Sequence, residues 1–185
     1  MRKEVPDTLE CSGAYRDYTI RDMKKSEYPR LHTFLYEAIF VPEGAKAPPK
    51  SCIHLPEMQV YTADFGKKKD DYAIVAEISG KIVGAAWVRM MNDYGHVDDE
   101  TPSLAISLYK EYRGMGIGTA LMKRLLFVLK EKGYQRTSLA VQKANYALKM
   151  YLAVGYKIVD ENKEEYIMVN DLQRETAVCS PLPEI

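Results

Sequence analysis

Leu104-Ala105-Ile106-Ser107-Leu108-Tyr109-Lys110-Glu111-Tyr112-Arg113-Gly114-Met115-Gly116-Ile117-Gly118 passes from an alternating apolar stretch directly into three glycines at every second position. Ser103 to Leu108 reads as a strand with Leu104, Ile106 and Leu108 on one face, because strand side chains alternate with period two. From about Gly116 to Lys132 the sequence is a strongly apolar helix stopped by Gly133, with Lys130 and Lys132 in the last turn, where positive charge suits the helix dipole. The amides from about Met115 to Thr119 are then the unpaired first-turn donors, and together with the dipole they form an anion site suited to phosphate. Glycine lets the backbone approach a ligand closely and take positive φ. Arg113 adds positive charge at the mouth of the loop. Turn-making alone does not require three glycines, each of which weakens a first helical turn by ~1 kcal/mol.

Two phosphate-loop patterns fail on these residues. A P-loop ends in Gly-Lys-Ser/Thr, whereas Gly118 is followed by Thr119-Ala120. The dinucleotide pattern G-x-G-x-x-G, started at Gly114, meets Thr119 at its last glycine; started at Gly116, it meets Leu121. The acid that should follow for a ribose is also missing, since the next strand ends Val141-Gln142-Lys143.

Outward from the loop, Tyr18 to Arg21 is a short strand, and Lys25 to Phe40 carries Leu31, Phe34, Leu35, Ala38 and Ile39 at helical spacing, with Ser26 as cap and Pro29 in the first turn. Pro42 to Pro49 breaks the helix, and a second short helix runs near Pro56 to Ala63. Tyr72 to Ile78 and Lys81 to Arg89 are strands joined by Ser79-Gly80, followed by an acidic loop from Asn92 to Thr101. Past the central helix come a strand (Thr137 to Val141), a helix (Tyr146 to Val154, ended by Gly155) and two closing strands (Tyr156 to Val159 and Glu165 to Val169). That order predicts an α/β fold with a mixed sheet of six to seven strands and about four helices. Residues 1–17 read as an arm, 18–170 as one domain and 171–185 as a tail.

Arg113-x-x-Gly116-x-Gly118 after an apolar strand resembles the coenzyme A loop of the GNAT acyltransferase superfamily. The run from Leu104 to Tyr112 looks like that family's fourth strand. About thirty residues on, Asn145, Ala147, Tyr151 and Gly155-Tyr156 match its Asn-x-x-Ala-x-x-x-Tyr-x-x-x-Gly-Phe/Tyr helix, as far as residue type and order go. The likeness covers 104–156 at motif level and 18–170 in element order. It implies acetyl-CoA as co-substrate, no metal, and direct transfer of an acetyl group to an amine in a ternary complex.

The resemblance assigns Arg113, Gly114, Met115, Gly116, Ile117, Gly118 and Thr119 to the cofactor, with the Leu108 amide beside the thioester carbonyl and Asn145 near the pantetheine arm. Asn145 also suits an ordinary N-cap. Tyr151 aligns with the general acid: a phenol keeps its proton at neutral pH and can pass it to a thiolate, though Leu148 and Val154 at helical spacing make a core aromatic the competing reading. Tyr146 is a weaker substitute. No base stands on the strand before the loop; Glu77, Asp93, His96, Asp98 and Asp99 are the nearby candidates, with His96 preferred for its resting pKa against a solvated loop histidine.

The acidic Asn92–Glu100 segment suits a cationic amine, and Tyr36 to Tyr61 is the other expected substrate wall. The expected acceptor is a small-molecule amine; a protein or peptide amine, a non-catalytic acyl-CoA-binding regulator and a cofactor-free interaction domain are the rivals. Charge is balanced at 26 basic against 26 acidic residues, which argues against a nucleic-acid partner. Cys11, Cys52 and Cys179 have neither metal-ligand nor framework spacing and read as free thiols. The first twenty residues lack a signal-peptide core and no stretch is long and apolar enough for a membrane span, so a cytoplasmic protein with no membrane partner is expected. A homodimer is left open.

Overall fold

In the computed structural model, residues 8–11 and 17–173 are described, the first group as a backbone strand only. Eight strands form one sheet in the order β1-β2-β3-β4-β5-β6-β8-β7. They are β1 (Thr8–Cys11), β2 (Tyr18–Asp22), β3 (Tyr72–Ile78), β4 (Lys81–Arg89), β5 (Ser103–Leu108), β6 (Arg136–Gln142), β7 (Lys157–Glu161) and β8 (Glu165–Asp171). The helices are α1 (Leu31–Ala38), α2 (Pro56–Gln59), α3 (Ile117–Glu131) and α4 (Leu148–Ala153). The mixed α/β architecture matches the sequence reading, with one strand more than expected: β1 pairs with β2 inside the stretch that shows no period. Cys179 and the rest of 174–185 lie outside the described residues, as does the side chain of Cys11; Cys52 is a free thiol.

Both faces of the sheet are covered, which explains the unbroken apolar runs of β3 and β4. Ile74 and Ala76 of β3 join Leu121, Leu125 and Leu129 of α3 in one core, while Ala73 and Val75 join Leu31, Phe34 and Leu35 of α1 in another. Trp87, fully buried on the α1 side, donates its indole N–H to the Tyr61 carbonyl at 3.2 Å. Leu172 is buried against the α3-side core, so the fold continues past residue 170.

The helix expected from Lys25 to Phe40 is divided. Lys25–Arg30 is a 3₁₀ segment and Leu31–Ala38 the α-helix. Pro29 supplies no N–H and disfavours helical geometry at Tyr28, which accounts for the division. The N-terminal boundary sits at Lys24, whose amide donates to Glu27 Oε2 at 2.9 Å, and not at Ser26. The second helix is likewise shorter than expected, Pro56–Gln59, and the helix bearing Tyr151 is Leu148–Ala153.

Every neighbouring pair in the sheet is antiparallel except β5 with β6. These two meet at Ser103↔Ser138 and then part. The candidate site lies in that gap.

Candidate active site

Tyr109 N–H bonds the Val83 carbonyl of β4 at 3.1 Å. Strand alternation therefore turns the amides of Ile106 and Leu108 the other way, toward the space that β6 has left. Leu108 is held there by two glycines. A Cβ on Gly84 would stand 2.8 Å from Leu108 Cγ, and one on Gly118 would stand 3.3 Å from Leu108 Cδ1 and 3.4 Å from Met150 Sδ. Ser107, on the opposite side of β5, donates to the Phe34 carbonyl at 2.6 Å and ties the strand to α1.

The loop after β5 reaches α3 through two left-handed residues, Gly114 at φ 77° and Gly116 at φ 80°. A Cβ at either would meet nothing within 4 Å, so backbone conformation, and not crowding, selects glycine. The first helical bond runs from Ala120 N–H to the Gly116 carbonyl at 3.1 Å. The amides of Ile117, Gly118 and Thr119 precede it and stand at the positive end of a fifteen-residue helix. Open space before such an end fits a phosphate-bearing ligand.

Arg113 differs from its expected role as a free charge at the mouth. Its Nε donates to the Leu108 carbonyl at 2.9 Å, and its Nη2 to the Glu37 carbonyl at 3.0 Å and Glu37 Oε2 at 3.2 Å. It clamps the loop to the end of α1, and Glu37 offsets its charge.

Two clefts open in the gap. One, of about 760 Å³ with its open mouth, is lined by Leu108, Arg113, Gly114, Gly118, Asn145 and Tyr151 among others. The second, of about 840 Å³ counted the same way, includes Tyr61, Tyr94, Ile106, Asn145, Tyr151 and Glu165. Tyr151 thus stands where they meet. Its ring is 8% exposed and packs edge-on against Tyr156 at 6.0 Å, so it is a core aromatic and a cleft wall at once. Burial, helped by Tyr146, pushes the Tyr151 phenol well above the ordinary tyrosine range, and it stays protonated at neutral pH. Asn145 Oδ1 accepts from Ala147 N–H at 2.9 Å, a turn bond two residues on that leads into α4 without capping it, since the N-cap is Ala147, while Asn145 lines both clefts.

Met115, Gly116, Ile117 and Thr119 do not line the clefts; Ile117 is in the core, and only its amide faces the helix end. His96 also stands apart. Its Nδ1 is 3.2 Å from the Met91 carbonyl and its Nε2 3.8 Å from the exposed Asp99, and it lines neither cleft. Glu77 pairs with Arg21 at 2.6 Å and Asp98 with Arg136 at 2.8 Å. Asp93 turns inward instead: its Oδ1 accepts from Ser103 Oγ at 2.7 Å, and its carboxylate faces the Tyr61 phenol. Burial raises its carboxyl above the usual range.

Tyr61 and Glu165 are two cleft residues with ionisable side chains that the sequence did not single out. Tyr61 fell only at the end of a wall segment, and Glu165 reaches the cleft because β8 pairs it with Gln142 of β6. Local spacing carries neither fact. Among the described residues no cluster of three or more His, Cys, Asp or Glu could hold a metal, and no helix is long and apolar enough to cross a membrane.

Residues 34–156 match the acetyltransferase (GNAT) family. The [ribosomal protein bS18]-alanine N-acetyltransferase of Haemophilus influenzae is 38% identical over 68 residues, 37% of this chain and 47% of that protein. The probable N-acetyltransferase camello of Xenopus tropicalis is 34% identical over 86 residues, 45% of this chain and 37% of that one. The matches thus span less than half of either relative. The PaiA N-acetyltransferase of Thermoplasma acidophilum, solved in complex with coenzyme A, shares the fold at a TM-score of 0.62 and 18% identity, covering 83% of this chain and 98% of that one. With two thirds of its length inside the family's span, the chain belongs to the acetyltransferase (GNAT) family.

Proposed function

We propose that the chain moves an acetyl group from acetyl-CoA to the primary amine of a small molecule, by direct transfer in a ternary complex. The meeting of two clefts at Tyr151 carries this reading. The first runs to the N-terminus of α3, where the amides of Ile117 to Thr119 would receive the pyrophosphate, and its solved relative binds coenzyme A in the same fold. The second has a carboxylate, Glu165, in its wall, which suits an ammonium. The Leu108 amide, free of β4, would donate to the oxyanion as the amine adds to the thioester carbonyl. Tyr151 would pass its proton to the departing thiolate.

The test is a thiol-release assay with acetyl-CoA across a panel of small amines, run beside calorimetric titration of acetyl-CoA. Amine-dependent release is the expected result. Tight binding with no release on any acceptor would mean a regulator, and no binding would remove the cofactor reading altogether. The second reading is a peptide α-amine, favoured by the ribosomal-protein substrate in the name of one relative. Release with peptides bearing a free N-terminus, but with no small amine, would establish it.

A further inference from the structure

The sequence offers no base on the strand before the glycine loop, and the carboxylates expected nearby are mostly engaged elsewhere. Asp93 is the exception. It sits at the apex of the gap, where β5 and β6 still pair. Ser103 Oγ, which donates to it, is also 3.2 Å from Ser138 Oγ across that pair. The Gly95 amide and the Tyr61 phenol face the same carboxylate. Tyr61 reaches from there into the second cleft, beside Tyr94, Glu165 and Tyr151. Its backbone is fixed by the Trp87 indole on its carbonyl.

We propose that Tyr61, backed by Asp93, is the proton acceptor for the acceptor amine. This rests on reading the second cleft as the acceptor site. The ammonium enters protonated and gives one proton to Tyr61 Oη while Tyr61 gives its own to the Asp93 carboxylate. One N–H bond and the phenol O–H bond break, and a new phenol O–H and a carboxyl O–H form. The nitrogen keeps the lone pair that attacks the thioester carbonyl; as the adduct collapses it sheds a second proton, which replaces the one Tyr151 gives to the thiolate, and after release of the amide the first proton returns to solvent by the same two oxygens. Tyr61 cannot serve as a free phenolate, because burial and the facing charges of Asp93 and Glu165 hold its proton firmly. It works as a relay. Asp93, buried and lifted above the ordinary carboxylate range, is a better match to neutral-pH proton transfer than an exposed carboxylate. Glu165 supplies negative charge in the cleft wall and keeps the ammonium near the phenol.

The experiment compares the full chain with Tyr61→Phe and Asp93→Asn, using the best acceptor from the amine panel, from pH 6 to pH 10. At neutral pH both variants are expected to lose about 10²-fold in kcat/KM for the amine, with the KM for acetyl-CoA unchanged. The deficit should shrink toward high pH, where the amine is already neutral in solution and needs no acceptor. A merely structural role predicts a deficit of constant size at every pH, and that result, or no deficit, overturns the proposal. Tyr61→Phe keeps the ring and its packing, so it decides the matter should Asp93→Asn melt early. A wild-type chain that releases no thiol with any amine removes the acceptor reading itself, and this relay with it.

Discussion

Tyr151 packs in the core and also walls the clefts, where the proposed reaction gives it a chemical role. Its ring belongs to the α3-side core and rests against Tyr156, while its edge is the partition between the clefts. Phenylalanine keeps the first role and removes the second. Tyr151→Phe is therefore expected to lower kcat by ~10² to 10⁴ while the KM for acetyl-CoA and the melting temperature change little. Steady-state kinetics with both substrates varied checks this, and unchanged turnover would end the assignment. The raised phenol pKa gives a second expectation: below about pH 10, Tyr151 contributes no alkaline limb to the rate, because its proton is still in place. This residue was legible in the sequence because the features that pick it out, Asn145, Ala147 and Gly155-Tyr156, lie within one helix and its ends. Tyr61, Asp93 and Glu165 were not legible as a group. They come from the turn after α2, the loop after β4 and the start of β8, and only strand pairing brings them together.

At the scale of elements, the strand, loop and helix from Ser103 to Glu131 were readable because each signal is local: alternation, glycine spacing and an apolar stripe ended by a glycine. The segment before α1 was harder, since one periodicity runs from Lys25 onward while the backbone changes from 3₁₀ to α at Leu31. Gly116→Ala tests the loop. At φ 80°, alanine pays a left-handed strain of ~1–2 kcal/mol with no clash to aggravate it, so the expected result is a modestly lower melting temperature and a raised KM for acetyl-CoA. Unchanged affinity would place the phosphates elsewhere. The lead-in to α1 gives a pH expectation. Arg21 pairs with Glu27 at 2.8 Å and with Glu77 at 2.6 Å, joining β2, the 3₁₀ segment and β3, and it holds the Glu27 carboxyl at about 2. A depressed carboxyl pKa stabilises the fold above the unfolded value and loses that contribution as pH falls toward the folded one. Unfolding free energy should thus decline from about pH 4.5 toward about pH 2, and Glu27→Gln should flatten that decline.

Across the whole molecule, the sheet with helices on both faces leaves a problem beside the second cleft: the chain between α2 and β3 carries Tyr61 but little regular structure. Arg89, 2% exposed at the end of β4, resolves it. Its Nη1 donates to the carbonyls of Val60 and Ala63, at 3.0 and 2.9 Å, and its Nε and Nη2 make a two-pronged pair with the Asp71 carboxylate at 2.9 and 3.0 Å. Asp71 Oδ2 also accepts from Gly66 N–H at 2.7 Å. Both ends of the segment are therefore bound to one guanidinium, and the wall that presents Tyr61 is set by a pair outside the cleft. Removing one partner leaves a buried charge without its counter-ion, so Asp71→Ala should destabilise the fold by ~3–5 kcal/mol in urea unfolding. Replacing both, as in Asp71→Leu with Arg89→Met, should recover much of that stability because no lone charge remains. It does not restore the bonds to Val60 and Ala63. The double variant is expected to fold, to keep its KM for acetyl-CoA and to show a raised KM for the amine. A double variant with wild-type amine kinetics would mean that the pair stabilises the fold without positioning the acceptor wall.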